Sequence, residues 1–126
     1  MKYIKLYEEL TENDFSDLED FADGLFSELG VDVVFTKHFK DRVNDWREER
    51  KPISYEELED LFLRAYHNAG QMITSLPDRT EVVLRNTFSR LNSPVAVQDS
   101  KRDRKLIMQT IHRKTHFSSP NPIIPI

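Results

Sequence analysis

The strongest constraint on the fold is a change of hydrophobic rhythm at Pro77. Upstream, apolar residues recur three and four apart, the period of a helix with one buried face. Phe15, Leu18, Phe21, Ala22, Leu25, Phe26 and Leu29 form one such stripe, and Leu58, Leu61, Phe62, Ala65 and Ala69 form another. Downstream, "TEVVLRNTF", "SPVAVQ" and "KLIMQTIHRKTHF" are rich in β-branched residues and are separated by "SRLN" and "DSKRDR". That pattern predicts three antiparallel strands in a meander, although Leu84, Phe88 and Leu91 also fit a helix. Helices first and strands after is the order of an α+β domain, with helices packed on one face of a small antiparallel sheet. The 126 residues suit a single domain.

Local signals place the elements. Ser16 with Glu19 is a candidate capping box for a helix over about 14–29, which Gly30 would stop. Val31 to Phe35 is strand-like. Thr36 can cap a helix over about 37–48, with Phe39, Val43 and Trp46 inward. Ser54 and Glu57 form a second box, opening a helix over about 55–70 that ends at Gly70 or frays towards Ser75. The tail "SSPNPIIPI" carries three prolines and can be at most an edge strand. Residues 1–12 read as an arm or leader, and 13–126 as the domain.

Composition removes several classes of function. Without cysteine there is no disulfide scaffold, thiolate zinc site or cysteine nucleophile. Three glycines cannot build a glycine-rich phosphate loop. No apolar run approaches the roughly 18 residues that cross a bilayer, so no membrane partner is expected and a cytoplasmic location is. The net charge of −4 hides a split. Residues 1–35 hold two lysines against ten acids, whereas from Lys101 onward six basic residues face only Asp103. Clustered cations matter more to a polyanion than the total charge. The back of the chain can therefore meet phosphate, and the acidic front would stay away or mask it.

The candidate chemistry rests on histidine and arginine. His38 and Arg42 are one turn apart in "FTKHFKDRV". They read either as a solvated pair beside the sheet or as a proton carrier with a phosphate-binding arginine. His67 should face away from the core of its helix, as an exposed histidine. In the last strand, alternation sends His112, Lys114 and His116 one way and Ile111, Arg113, Thr115 and Phe117 the other. This is either a charged strand end or a sheet-borne RNA site. His112 and His116 would be about 13 Å apart on a strand, too far for one metal ion. No metal or cofactor is expected.

"FTKHFKDRV", a helix ending "LEDLFLRAYH" and a final basic "TIHRK" strand together resemble the barnase–EndoU–colicin–RelE superfamily of small ribonucleases, and its phage-encoded members in particular. The resemblance covers roughly 33–117. It implies metal-independent RNA cleavage through the ribose 2′-hydroxyl, leaving a 2′,3′-cyclic phosphate, as in an mRNA-cleaving phage enzyme or a RelE-like toxin. His38 would then be the base or acid, His67 its counterpart, Arg42 a phosphate holder and Arg113 the stabiliser of the phosphorane. Lys114, His112 and His116 would bind RNA. The implied partners are RNA and, beyond it, a ribosome, an antitoxin or a virion component. "MKYIKLYEEL" is similar to the leaders of T-even-type phage proteins, some of which direct a protein into the prohead and are cut after L-x-E; Leu6-Tyr7-Glu8 and Leu10-Thr11-Glu12 fit. The alternative is a non-catalytic binding module on the same scaffold, with His38 and Arg42 structural.

Overall fold

The computed structural model describes residues 9–45, 53–99 and 103–126. Trp46, Leu6-Tyr7-Glu8, Lys101 and Arg102 lie outside the described residues. Three helices and a mixed sheet make an α+β fold. Helix α1 (Glu12–Phe26) runs through a short 3-10 turn (Ser27–Leu29) into strand β1 (Val31–Phe35). Then come α2 (Lys37–Val43) and the long α3 (Tyr55–Ser75). The rest is strand: β2 (Glu81–Asn86), β3 (Leu91–Asp99), β4 (Arg104–Met108), β5 (His112–Arg113) and β6 (Ile123–Pro125).

The expected meander is present as β2, β3 and β4, each antiparallel to the next. The sheet as a whole is not antiparallel. Its order is β1-β4-β3-β2-β6, and both outer strands are parallel to their neighbours. Helix α1 and its turn bring β1 in beside β4, and the proline-rich tail adds β6 beside β2.

The expected final strand over 105–117 is broken between Met108 and His112. Pro94 in β3 supplies the reason. Gln109 N–H donates to the Pro94 carbonyl at 3.1 Å, but proline has no N–H to return. The Gln109 carbonyl instead accepts the Thr36 hydroxyl at 3.0 Å, and that hydroxyl also reaches the Met108 carbonyl at 3.2 Å. The ladder stops, and after Gln109, Thr110 and Ile111 the chain rejoins β3 as β5, with Leu91 opposite Arg113 and Asn92 opposite His112.

Helices α1 and α3 pack on one face of the sheet. Phe15, Leu18, Ala22 and Phe26 of α1 and Leu58, Leu61, Phe62, Ala65, Ala69 and Ile73 of α3 join Val82, Leu84, Leu91, Val95, Leu106 and Met108 in one core. The caps follow the sequence with one change. Ser54 and Glu57 form the expected box on α3, and Gly30 ends the first helical segment at φ 71°. The box on α1 is Thr11 with Asp14 rather than Ser16 with Glu19, so Leu10-Thr11-Glu12 is a helix start. Glu19 is used elsewhere. It accepts the Phe35 N–H at 2.9 Å, and Asp23 accepts the Val33 N–H at 2.7 Å. Two carboxylates from α1 thus take up amides on the outer side of β1. No helix among the described residues is long and apolar enough to cross a membrane.

Candidate functional site

Alternation along the strands decides what reaches the face away from α1 and α3. Leu84 and Leu91 point into the core, so their neighbours Arg85 and Asn92 point the other way. Arg85 stands opposite Asn92, and Asn92 opposite His112. The three side chains therefore form a row across β2, β3 and β5, and Arg85 Nε donates to Asn92 Oδ1 at 2.9 Å.

Helix α2 closes one end of this row. Thr36 caps it through the Phe39 N–H, and Phe39 and Val43 anchor it in the core. The helix lies beside the strand break, and Arg42 crosses to His112, with Nη2 2.9 Å from Nδ1. Arginine can only donate, so Nδ1 accepts and the proton of the neutral ring sits on Nε2. Arg42 Nη1 also lies 3.6 Å from Asp45 Oδ2. The His112 ring stacks on Phe117 at 5.3 Å. Burial pushes the His112 pKa below its ordinary value, and the positive charges of Arg42, His38 and Lys114 push it further.

Four of the expected residues thus share one neighbourhood: His38, Arg42, His112 and Lys114. His38 is exposed on α2, and Lys114 is exposed just past β5. His116 is exposed in the turn that follows. This turn brings Phe117 back onto His112, so Phe117 does not project opposite to it as strict alternation predicts.

Two expectations change. Arg113 does not face a solvent-borne phosphate. Its side chain is 2% exposed and points into the core side, where it grips Glu57 with both prongs, Nη2 to Oε1 at 2.7 Å and Nη1 to Oε2 at 2.8 Å. It also donates to the Ser89 carbonyl at 3.0 Å. The strand parity that sends His112 outward sends Arg113 inward. His67 is exposed as expected, but it lies ten residues beyond Glu57, about 15 Å further along the axis of α3. It packs against Tyr66 and lines a separate cavity with Leu29, Gly70 and Met72. Tyr66 itself packs edge-on against Phe26 and donates its hydroxyl to Glu28.

The sequence reading missed Asn92. It is fully buried and holds the end of the sheet together: Nδ2 donates to the carbonyls of Lys114 at 2.8 Å and Arg90 at 3.1 Å. An asparagine next to an apolar Leu91 in a strand is the signal that could have found it, since a buried amide requires partners. Among the described residues no group of three His, Asp or Glu side chains is placed to hold a metal ion.

No protein-family model matches this chain, and comparison with curated proteins and with solved structures likewise finds no match.

Proposed function

We propose that the chain is a metal-independent endoribonuclease, with His38 as its proton carrier. The observation that carries this reading is the convergence of His38, Arg42, His112 and Lys114 at the junction of α2 and β5. Cleavage by the ribose 2′-hydroxyl needs a base for that hydroxyl and positive or donor groups around the phosphorane. His38 takes the 2′-hydroxyl proton. The 2′-oxygen bonds to phosphorus, the bond to the 5′-oxygen breaks, and that oxygen takes a proton from water. Arg42 and Lys114 supply positive charge. His112 is suited to a different task from His38. With Nδ1 turned to Arg42, its Nε2–H is a fixed donor for a phosphoryl oxygen, and its depressed pKa keeps it neutral near pH 7.

The test is RNA cleavage by the purified protein in EDTA. The expected products carry 2′,3′-cyclic phosphate ends, and His38→Ala lowers the rate by on the order of 10²-fold or more without unfolding the chain. Cleavage undiminished in that variant overturns the mechanism. A second reading, a non-catalytic RNA-binding module, is favoured by the fixed state of the sheet end. His112 is held between Arg42 and Phe117, and Arg113 is committed to Glu57. RNA binding that weakens steeply with salt, with no cleavage, selects that reading. A ribosome, an antitoxin or a virion component as partner would belong to either one.

A further inference from the structure

Next to the His112 row, the end of the β2–β3 hairpin and the chain after β5 enclose a cavity of about 190 Å³. It is lined by Arg85, Thr87, Arg90, Asn92, Lys114 and Thr115. Three of these are cations, two carry hydroxyls, and no lining residue is acidic. The bonds of Arg85 go to neutral acceptors, Asn92 Oδ1 at 2.9 Å and the Phe117 carbonyl at 2.6 Å. The walls are fixed in advance. Asn92 joins the Arg90 and Lys114 backbones, the Lys114 N–H donates to the Arg90 carbonyl at 2.9 Å, and Arg90 reaches the Thr115 hydroxyl at 3.3 Å. The cavity is smaller than the roughly 300–1,000 Å³ of a pocket for a whole small molecule. It suits one compact anionic group.

We propose that this cavity is a phosphate-binding subsite, adjoining the His38 centre through Lys114 and occupied by a single phosphate group. Guanidinium forks, an ammonium group and hydroxyls are the donors that phosphate takes. Lys114 is common to both places, but phosphate binding here does not require the proton carrier, because neither His38 nor Arg42 lines the cavity. Lys114 follows His112 directly in the chain, so a phosphate held here lies beside the proposed RNA path. The group can be the terminal phosphate of a nucleotide or an internal diester of a strand, and the two sources bind through the same atoms.

The experiment is an NMR titration of the full chain with inorganic phosphate at constant ionic strength. Saturable shifts are expected at the amides of Thr87, Arg90, Lys114 and Thr115. The Arg90→Asn, Lys114→Gln double variant removes two charges at exposed positions. Arg90 sits at φ 64°, a conformation asparagine adopts more readily than arginine, so folding is preserved. Affinity should fall by roughly tenfold or more in that variant, the loss expected for charge-assisted hydrogen bonds. His38→Ala should bind phosphate as the wild type does, which keeps this result independent of whether RNA is cleaved. Adenosine monophosphate and a dinucleotide without a terminal phosphate then separate the two sources. Binding of only the first assigns the subsite to a chain end or free nucleotide, and binding of both assigns it to the strand. Shifts that never saturate, or that are unchanged in the double variant, overturn the proposal.

Discussion

His112 shows how one side chain can be assigned a state from its neighbours alone. Arg42 on Nδ1, burial against Phe117, and the charges of His38 and Lys114 all disfavour the imidazolium. A folded-state pKa below the unfolded value of about 6.5 means that the unfolded chain binds more protons on acidification. The stability due to neutral His112 is therefore fully present above about pH 6.5 and is lost as pH falls through that value towards the lower folded one. Urea denaturation at pH 7.5 and pH 5 should show a larger loss for the wild type than for His112→Gln, which has no proton to gain. Parallel losses would mean that the ring is not held neutral.

Among the elements, the tie between α3 and β5 matters most to the integrity of the site. Glu57 serves twice. It completes the capping box with the Ser54 N–H at 3.1 Å, and it takes both prongs of Arg113. Glu57→Ala strands a guanidinium that is 2% exposed and should cost about 3 kcal/mol, the lower end for a broken buried pair, because Glu57 itself is 23% exposed. Arg113→Met should cost less, since it leaves behind only a carboxylate near water at a helix N-terminus. Urea midpoints give the order, and the reverse order would contradict this account. The sequence made the local half of this tie legible. Ser54-x-x-Glu57 announces a cap from four consecutive residues, and Thr36 and Gly30 announce themselves in the same way. It did not reveal the partner of Arg113, which lies 56 residues away. Nor did it reveal that β1 would run parallel beside β4, because strand order is decided by packing rather than by local pattern. The break after Met108 was written in Pro94, but only together with the knowledge that β3 is a central strand. For the same reason the candidate site was half legible. His38, Arg42, His112 and Lys114 could be named from residue type and spacing, whereas Arg113, His67 and Asn92 depended on which face each side chain would find.

At the scale of the whole molecule, the acidic front and the basic back are not two separable parts. Phe15, Leu18, Ala22 and Phe26 place α1 in the core, and Lys40 lies 3.4 Å from Glu12 at the α1–α2 boundary. Deleting residues 1–30 would remove core rather than lift a mask. Any influence of those acids on an approaching polyanion comes from a fixed field. The two outer strands are finished differently. Strand β6 ends the sheet with a proline in it, and β1 ends it with amides already bonded to Asp23 and Glu19. This second arrangement bears on how copies of the chain behave towards one another. An open row of strand amides invites another strand to add to it. Replacing both carboxylates, as in Asp23→Ala with Glu19→Ala, should leave Val33 and Phe35 able to pair with a second copy. Light scattering at rising concentration should then report larger species than for the wild type, and an unchanged size would show that the edge is closed by other means. On this reading, the two acids that look like ordinary helix-surface charges keep the molecule from polymerising along its own sheet.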